Sequence, residues 1–261
     1  MPMAGHCRRQ RELIPKIMDT TKTKCRLHVA ADLARGAVID ADADQAHYLR
    51  SVLRSEPGDR VIVFNGRDGE WSATIGSLSK NNARLAVTDR LRPQTVSPDV
   101  TLCFAPLKKA ALDTLVVKAA ELGASRLIPV FTDHTDVTRI NTERVAANLR
   151  EAAEQCERLD VPVIDEGIRL DRLLRDWPPD RPILACAARR GAPPISAVAG
   201  NLGAPAAILV GPEGGFAQRE LDLLAELPFV HSVGLGPRIL RAETAAITAL
   251  ACWQAAAGDL R

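Results

Sequence analysis

Aromatic residues are scarce in this chain and make up only 3% of its 261 positions. Its hydrophobic core must therefore be built mainly from aliphatic side chains and alanine, since apolar residues as a whole reach 46%. No apolar run approaches the roughly 18 residues that a membrane-spanning helix needs. The first 24 residues are basic and lack the apolar segment of a secretory signal. We therefore expect a cytoplasmic protein that does not associate with a membrane.

Metal-binding and phosphate-binding signatures are also missing. The six cysteines are widely scattered and none forms a C-x-x-C pair, which argues against a zinc site and against a disulfide framework. We expect reduced thiols, most of them as small core residues, and no metal. Neither the G-x-x-x-x-G-K-[ST] loop of phosphate sites nor G-x-G-x-x-G occurs. A ligand recognised through a pyrophosphate is therefore disfavoured.

The formal net charge of +2 is unevenly divided along the chain. Residues 1–24 carry a net charge of +4, residues 25–92 carry +1, and residues 93–261 carry −3. A surface that binds a polyanion is therefore expected toward the amino end. The alternative is that residues 1–24 form a basic, disordered tail without a function of its own.

Short strand signals dominate residues 25–92. Residues 61–64 and 70–75 are apolar runs on either side of an Asn-Gly and an Asp-Gly, which is typical of a β-hairpin. Residues 83–87 predict a further strand, and residues 47–54 predict one short helix. Close strands with a single small helix indicate a compact β-barrel domain.

A polar segment with two prolines, residues 92–98, marks the predicted domain boundary. Beyond it, strands alternate with helices, which predicts an α/β domain over residues 93–261. The predicted strands are 100–104, 126–131, 183–187, 206–210 and 230–233. The predicted helices are 110–122, 142–159 with Asn141 as its cap, 218–226 and 242–257.

Two glycine-bearing loops follow successive strands near the carboxyl end. The first spans residues 211–216 and the second spans residues 234–241. Ligands of open α/β sheets bind beyond the carboxyl ends of the strands, and glycine allows positive φ and a close approach of backbone to ligand. The alternative is a pair of ordinary strand-to-helix turns. Two such loops in succession, each with a charged residue, favour a binding site.

The motifs around these loops carry a resemblance to a known family. They read LVGPEGGF (209–216) and LGPRILRAETA (235–245), with support from HYLRSVLR (47–54), KAAELGASRLIPV (118–130) and EAAEQCERLDVP (151–162). Over about residues 25–258 the chain resembles the RsmE family of SPOUT-class RNA methyltransferases. Members of this family methylate N3 of a uridine in small-subunit (16S) ribosomal RNA.

The resemblance implies an amino-terminal PUA-like β-barrel that binds RNA, followed by an α/β domain tied in a deep trefoil knot. It also implies a homodimer with active sites near the subunit interface, and 16S rRNA in an assembled or nearly assembled small subunit as the substrate. The two loops would hold S-adenosyl-L-methionine in a bent form. The residues implied for this cofactor are Leu209, Val210, Gly211, Pro212, Glu213, Gly215, Leu235, Gly236, Ile239, Leu240 and Thr244.

The implied reaction calls for stabilisation of charge, because the methyl donor is already a sulfonium. Uracil N3 lies on the Watson–Crick edge, so the target uridine must be unpaired or flipped out. Charge then develops on the uracil oxygens as N3 loses its proton. Arg241 and Arg238 are candidates to stabilise this charge, and Glu213 is a candidate to orient one of them or to accept a hydrogen bond. The alternative is a structural ion pair of Arg241 with Glu243 or Glu213.

Three basic residues are candidates for RNA binding. Arg50 and Arg54, four apart on the predicted helix, and Lys108 suit phosphate contacts, although a solvated surface pair is the alternative for the two arginines. The chain departs from the family pattern on the RNA side: Ala111 replaces a frequent basic residue, and the dipeptide beginning at His134 replaces the usual Arg-Ser. Two other functions remain open: an inactive RNA-binding or assembly protein, and a methyltransferase for another RNA atom.

The last predicted helix, residues 242–257, is nearly uncharged after Glu243. A helix that faces solvent would normally carry a polar stripe, so this one must be covered nearly all round. We expect it to form most of a homodimer interface, with Trp253 as an aromatic anchor. The alternative is a central helix that is buried inside one monomer.

Overall fold

The computed structural model describes residues 23–187 and 191–260. Nearly all of the expected basic tail lies outside them, and the first strand already begins at Thr23. The amino-terminal part contains five strands, one short helix and one π-helical turn. These are β1 (Thr23–His28), β2 (Val38–Ala41), α1 (Ala43–His47), the π turn (Tyr48–Val52), β3 (Arg60–Phe64), β4 (Glu70–Leu78) and β5 (Ala83–Arg92).

The five amino-terminal strands form one sheet in the order β1-β3-β4-β5-β2. β1 is parallel to β3, and the other pairs are antiparallel, including the predicted hairpin of β3 and β4. Apolar side chains from all five strands and from α1 meet in a single core, which confirms the compact β-domain. Its members include Leu27, Ile39, Leu49, Val61, Val63, Ile75 and Leu85.

The single helix predicted for residues 47–54 is wrong. α1 already ends at His47, and the π turn follows it, with the Leu53 N–H bonded to the carbonyl oxygen of Tyr48. Arg50 lies in this turn, whereas Arg54 comes after it with a φ of 51°. Both arginines are exposed. They do not share a helical face, because the wider turn and the left-handed residue break the i, i+4 geometry.

The carboxyl-terminal part alternates strands and helices as predicted. Its strands are β6 (Val100–Phe104), β7 (Arg126–Phe131), β8 (Val163–Ile164), β9 (Ile168–Arg169), β10 (Ile183–Ala185), β11 (Ala206–Val210) and β12 (Val230–Ser232). Its helices are α2 (Lys109–Glu121), α3 (Thr142–Gln155), α4 (Leu170–Arg175), α5 (Ile195–Leu202), α6 (Gln218–Glu226) and α7 (Ala242–Ala257). The Asn141 side chain caps α3 as predicted, but this helix ends four residues earlier than expected.

The carboxyl-terminal sheet is parallel throughout its strand pairs, in the order β12-β10-β11-β6-β7-β8, with β9 also beside β7. β6 and β11 are buried at every position, as expected for central strands covered on both faces. Apolar clusters lie on both sides of the sheet. The α/β fold is thereby confirmed. The trefoil knot stays a prediction, because strand order alone does not define how the chain is threaded.

One face of α7 is buried inside the subunit. It packs against α2 and α5 and against β6 and β11. Trp253 is fully buried in this contact, with a relative exposure of 0%. The expectation that Trp253 anchors a dimer is therefore wrong, because its indole is already covered by its own chain. A second face of α7, with Thr244, Ile247, Thr248, Ala251 and Ala255, is half-buried or exposed.

Arg26 joins the two parts of the chain. Its guanidinium lies 2.8 Å from Oε1 of Glu70 and 4.6 Å from the centroid of the Phe64 ring. It also donates to the carbonyl oxygens of Ala153, Glu154 and Arg158, at and just beyond the end of α3. A cation is favourable there, because the last carbonyls of a helix carry partial negative charge.

Helices long and apolar enough to cross a membrane are absent from the described part of the chain.

Candidate active site

A cavity of about 720 Å³ lies beyond the carboxyl ends of β10, β11 and β12. Both glycine loops contribute to its wall, as the strand-end argument predicted. The described residues that line it are Cys186, Ala187, Val210, Gly211, Pro212, Glu213, Gly215, Phe216, Leu221, Ser232, Val233, Leu235, Gly236, Pro237, Arg238, Ile239, Leu240, Ala242 and Ala245.

The structure brings most of the sequence-derived site residues to this cavity, but not all of them. Ten line its wall: Val210, Gly211, Pro212, Glu213, Gly215, Leu235, Gly236, Arg238, Ile239 and Leu240. Three others do not. Leu209 is fully buried in β11 and packs into the core. Arg241 is exposed at the start of α7, and Thr244 is exposed in the first turn of that helix.

Sequence reasoning missed nine of the lining residues. Cys186 follows β10, Ser232 ends β12 and Val233 follows it; β10 lies between β11 and β12 in the sheet. Applying the strand-end rule to all three strands would have found them. Phe216 lies within the first predicted loop, whereas Leu221 and Ala245 are apolar helix positions that no sequence signal separates from core.

The first loop is a tight turn that exposes Glu213. The Gly215 N–H donates to the carbonyl oxygen of Pro212 at 2.9 Å, so Glu213 and Gly214 are the two central residues of the turn. Gly215 has a φ of 72°, which glycine adopts without strain. Pro212 is buried and Glu213 is exposed. The carboxylate therefore projects from the tip of a fixed turn at the mouth of the cavity.

The second loop brings bare backbone to the cavity. Gly236 has a φ of 96°, and a Cβ placed there would meet no atom within 4 Å. Gly236 also lines the cavity, so its backbone is accessible there. Ile239 is 89% exposed although it is large and apolar. The loop therefore presents backbone groups and several apolar side chains to whatever fills the cavity.

The charged residues in and next to the two loops form no ion pairs in the described part of the chain. Within residues 23–187 and 191–260, no ion pair includes Glu213, Arg238, Arg241 or Glu243. The alternative of a structural pair between Arg241 and Glu243 or Glu213 is therefore wrong for the described chain. Free charges at the mouth of a cavity suit contacts with a substrate.

A second segment, residues 132–135, holds the first loop from outside. His134 Nδ1–H donates to the carbonyl oxygen of Gly215 at 3.1 Å, and a side chain at Gly214 would lie 3.2 Å from the His134 Cβ. The buried Glu220 carboxylate accepts the N–H groups of both Asp133 and Ala217 at 2.9 Å. We call these contacts the loop clasp. They give His134 a position beside the first glycine loop.

The chain matches two families of RNA-modifying domains. Residues 95–254 match the RNA methyltransferase domain family, and residues 41–88 match the RNA methyltransferase PUA domain family. Among characterised relatives, the ribosomal RNA small subunit methyltransferase E of Rickettsia conorii is 35% identical over 87% of this chain and 93% of its own length. The enzyme of the same name from Synechocystis is 33% identical over 87% and 76%.

Solved structures agree with these relatives. The ribosomal RNA small subunit methyltransferase E of Neisseria gonorrhoeae, bound to S-adenosyl methionine, is 26% identical with a TM-score of 0.84, covering 91% of this chain and 99% of its own. A methyltransferase of Legionella pneumophila with bound S-adenosylmethionine is 28% identical with a TM-score of 0.80 over 91% and 99%. Fold, cavity and sequence lead to the same conclusion: the chain belongs to the RsmE family, the ribosomal RNA small subunit methyltransferases E.

Proposed function

We propose that this protein transfers the methyl group of S-adenosyl-L-methionine to N3 of a uridine in 16S rRNA of the small ribosomal subunit. The observation that carries the proposal is the cavity between the two glycine loops, in a chain of the RsmE family. The relatives named ribosomal RNA small subunit methyltransferase E support it, as does the similar solved structure with bound S-adenosyl methionine. The uridine N3 position comes from the resemblance of the two loop motifs.

The residues of the cavity fit this cofactor. Aliphatic side chains and alanine dominate the wall, and the loop glycines leave backbone N–H and C=O groups accessible to an adenine. Arg238 is the one basic residue among the described lining residues, so the cavity lacks the cluster of cations that a pyrophosphate would attract. When bound, the cofactor supplies an activated methyl group as a sulfonium.

Arg238 is the residue best placed to stabilise the uracil oxygens. It lines the cavity and has no ion pair in the described chain, so its guanidinium is available to a substrate. A cation aimed at developing charge lowers the barrier without needing to move. Arg241, our other candidate, does not line the cavity of its own subunit. Any role for Arg241 would thus be in the approach of the RNA.

RNA binding is assigned to the amino-terminal domain, residues 25–92, with catalysis in residues 93–261. Arg50 and Arg54 are exposed on the first domain. Lys108 is exposed just before α2, after β6, at the sheet edge where the cavity also opens. These cations suit phosphate contacts that position the RNA. Because its substrate is ribosomal RNA, we expect the protein to act in the cytoplasm.

Mapping of the methylated nucleotide tests the function. We expect that the purified protein, with methyl-labelled cofactor, modifies small subunits at one uridine, and that mass spectrometry of nuclease fragments identifies 3-methyluridine. Large subunits serve as the control and should remain unlabelled. Label on another atom or base would favour the related methyltransferase. Cofactor binding without any transfer would favour the inactive RNA-binding protein.

A homodimer is proposed for the active enzyme, formed through the outer face of α7. Its residues Thr244, Ile247, Thr248, Ala251 and Ala255 are small or apolar and only partly covered by the subunit itself. Small side chains let a second helix approach closely, and a twofold axis would bring the same face of both chains together.

Sedimentation of an α7 variant tests this interface. We expect a dimer down to about micromolar concentration, and a monomer with little activity for Ala251→Arg, because the charge would be desolvated at the interface. Ala147→Arg, on the exposed face of α3, is the matched control and should leave the dimer intact. A wild-type monomer that is fully active would contradict the proposal.

A further inference from the structure

We propose that Glu213 is the base that removes the N3 proton of the target uridine, an inference that rests on the function proposed above. The implied reaction needs such a group, because uracil N3 carries a proton at neutral pH and becomes a good nucleophile only as that proton leaves. Glu213 lies at the tip of the first glycine loop, lines the cavity and has no ion pair in the described residues.

The side chains of the cavity wall leave few alternatives for this role. Among the described residues, those with a polar or titratable end are Cys186, Glu213, Ser232 and Arg238. An arginine keeps its proton in proteins, and a serine hydroxyl is no base without a partner. Burial raises the pKa of the Cys186 thiol to about 12, so this group also keeps its proton. A carboxylate is the one proton acceptor that remains.

The backbone around Glu213 is fixed from two sides, as a positioned base requires. Inside the loop, the Pro212–Gly215 hydrogen bond sets the turn that has Glu213 at its tip. Outside it, the loop clasp places His134 in contact with Gly214 and in a hydrogen bond to the carbonyl oxygen of Gly215. Glu220 then ties the residue after the turn, Ala217, to Asp133. His134 and Glu220 are thus positioning residues for the carboxylate.

Proton removal from N3 and transfer of the methyl group need no further reactant. The N3–H bond breaks, its electron pair stays on N3, and the proton passes to a carboxylate oxygen of Glu213. The N3–C bond to the methyl group forms while the C–S bond breaks, and that bonding pair neutralises the sulfonium. Arg238 compensates the charge on the uracil oxygens during the transfer. Glu213 returns its proton to water, because it is exposed at the mouth.

Glu213→Gln tests the role, because the amide keeps the shape of the carboxylate but accepts no proton. We expect kcat on small subunits to fall by about 10²–10⁴-fold, the usual range for a lost general base. Because Glu213 also lines the cofactor cavity, kcat is measured at saturating cofactor, with the cofactor affinity determined by calorimetry; the affinity for subunits, by filter binding, should stay within about twofold of wild type. The matched control is Glu226→Gln, an exposed glutamate on α6 outside the cavity wall, which should behave like wild type.

A substrate with a more acidic N3 separates a base from a merely structural carboxylate. Subunits are reconstituted with 16S rRNA that contains 5-fluorouridine, whose fluorine withdraws electrons and weakens the N3–H bond. The kcat loss of Glu213→Gln should shrink at least about tenfold on this substrate, because less assistance is needed. An equal loss on both substrates, a loss below tenfold on uridine, or a loss explained by weaker cofactor binding overturns the proposal. Wild-type protein without 3-methyluridine product would instead contradict the proposed function.

Discussion

Replacing Arg26 by methionine should unfold the protein at a lower temperature and impair methylation of subunits while sparing cofactor binding. The Arg26 side chain is only 8% exposed and donates to Glu70 and to three carbonyl oxygens around the end of α3. Methionine has similar length but no donor, so the three carbonyls lose their partner and Glu70 keeps only Arg92. Both effects lie at the contact between the two domains.

The expected loss of unfolding free energy is about 3 kcal/mol, near the lower end for breaking a buried ion pair, because Arg92 still compensates Glu70. For a chain of this size that corresponds to roughly 6–12 °C in melting temperature. Small misplacements of a substrate-binding domain can cost up to roughly 100-fold in rate. We therefore expect kcat/KM for subunits to fall by at least about tenfold, with an unchanged Kd for S-adenosyl-L-methionine.

Calorimetric melting, cofactor titration and subunit methylation together check this prediction. Arg35→Met is the control, because Arg35 forms an exposed ion pair with Asp89 whose loss should cost less than about 1 kcal/mol. Full methylation activity in Arg26→Met would show that the domain contact does not position RNA. A melting temperature equal to wild type would contradict the energetic role of Arg26.

The decrease in the free energy of unfolding at low pH should reflect the same contact. Burial acts to raise the pKa of Glu70, but its hydrogen bonds to Arg92 and the charges of Arg26 and Arg92 outweigh burial and hold this pKa below its usual range. A depressed folded-state pKa means that the stabilisation is present above the unfolded pKa and is lost as pH falls through the folded value. The domain contact should therefore persist at neutral pH and weaken only in acid.

Replacing Gly236 by leucine should abolish cofactor binding and leave the fold intact. Gly236 lines the cavity and a Cβ there would meet no atom within 4 Å, so we expect a leucine side chain to compete with the ligand and not with the core. We expect the Kd for S-adenosyl-L-methionine to rise by at least about 100-fold, equivalent to roughly 2.7 kcal/mol. Leucine at a φ of 96° also costs about 1–2 kcal/mol of backbone strain.

Gly58→Leu controls for that strain. Gly58 has a φ of 98° and equally open surroundings, but it lies in the amino-terminal domain, outside the residues that line the cavity. Both variants should therefore melt a few degrees below wild type, and only Gly236→Leu should fail in calorimetric titration with the cofactor. Unchanged affinity in Gly236→Leu would exclude this cavity as the cofactor site.

Local sequence patterns determined the element types and the edge of the sheet that carries the site. Apolar runs on either side of an Asn-Gly and an Asp-Gly predicted β3 and β4, and further apolar runs predicted the central strands β10 and β11. Glycines after two successive strands predicted loops at their carboxyl ends, and the cavity lies there. These features depend on neighbours in the chain, so a single sequence contains the information for them.

Contacts between distant segments were decided only by the tertiary structure. The π turn that contains Arg50 and the left-handed Arg54 after it break a spacing that looked helical. Trp253 is fully buried within its own subunit, on the helix that packs against α2 and α5. The loop clasp joins Asp133 to Glu220, which are 87 positions apart, and Arg26 meets α3 more than 120 positions later. The sequence determined that two glycine loops follow strands of an α/β domain. Which side chains reach the cavity depends on three-dimensional packing, because residues far apart in the chain supply each other's hydrogen-bond partners.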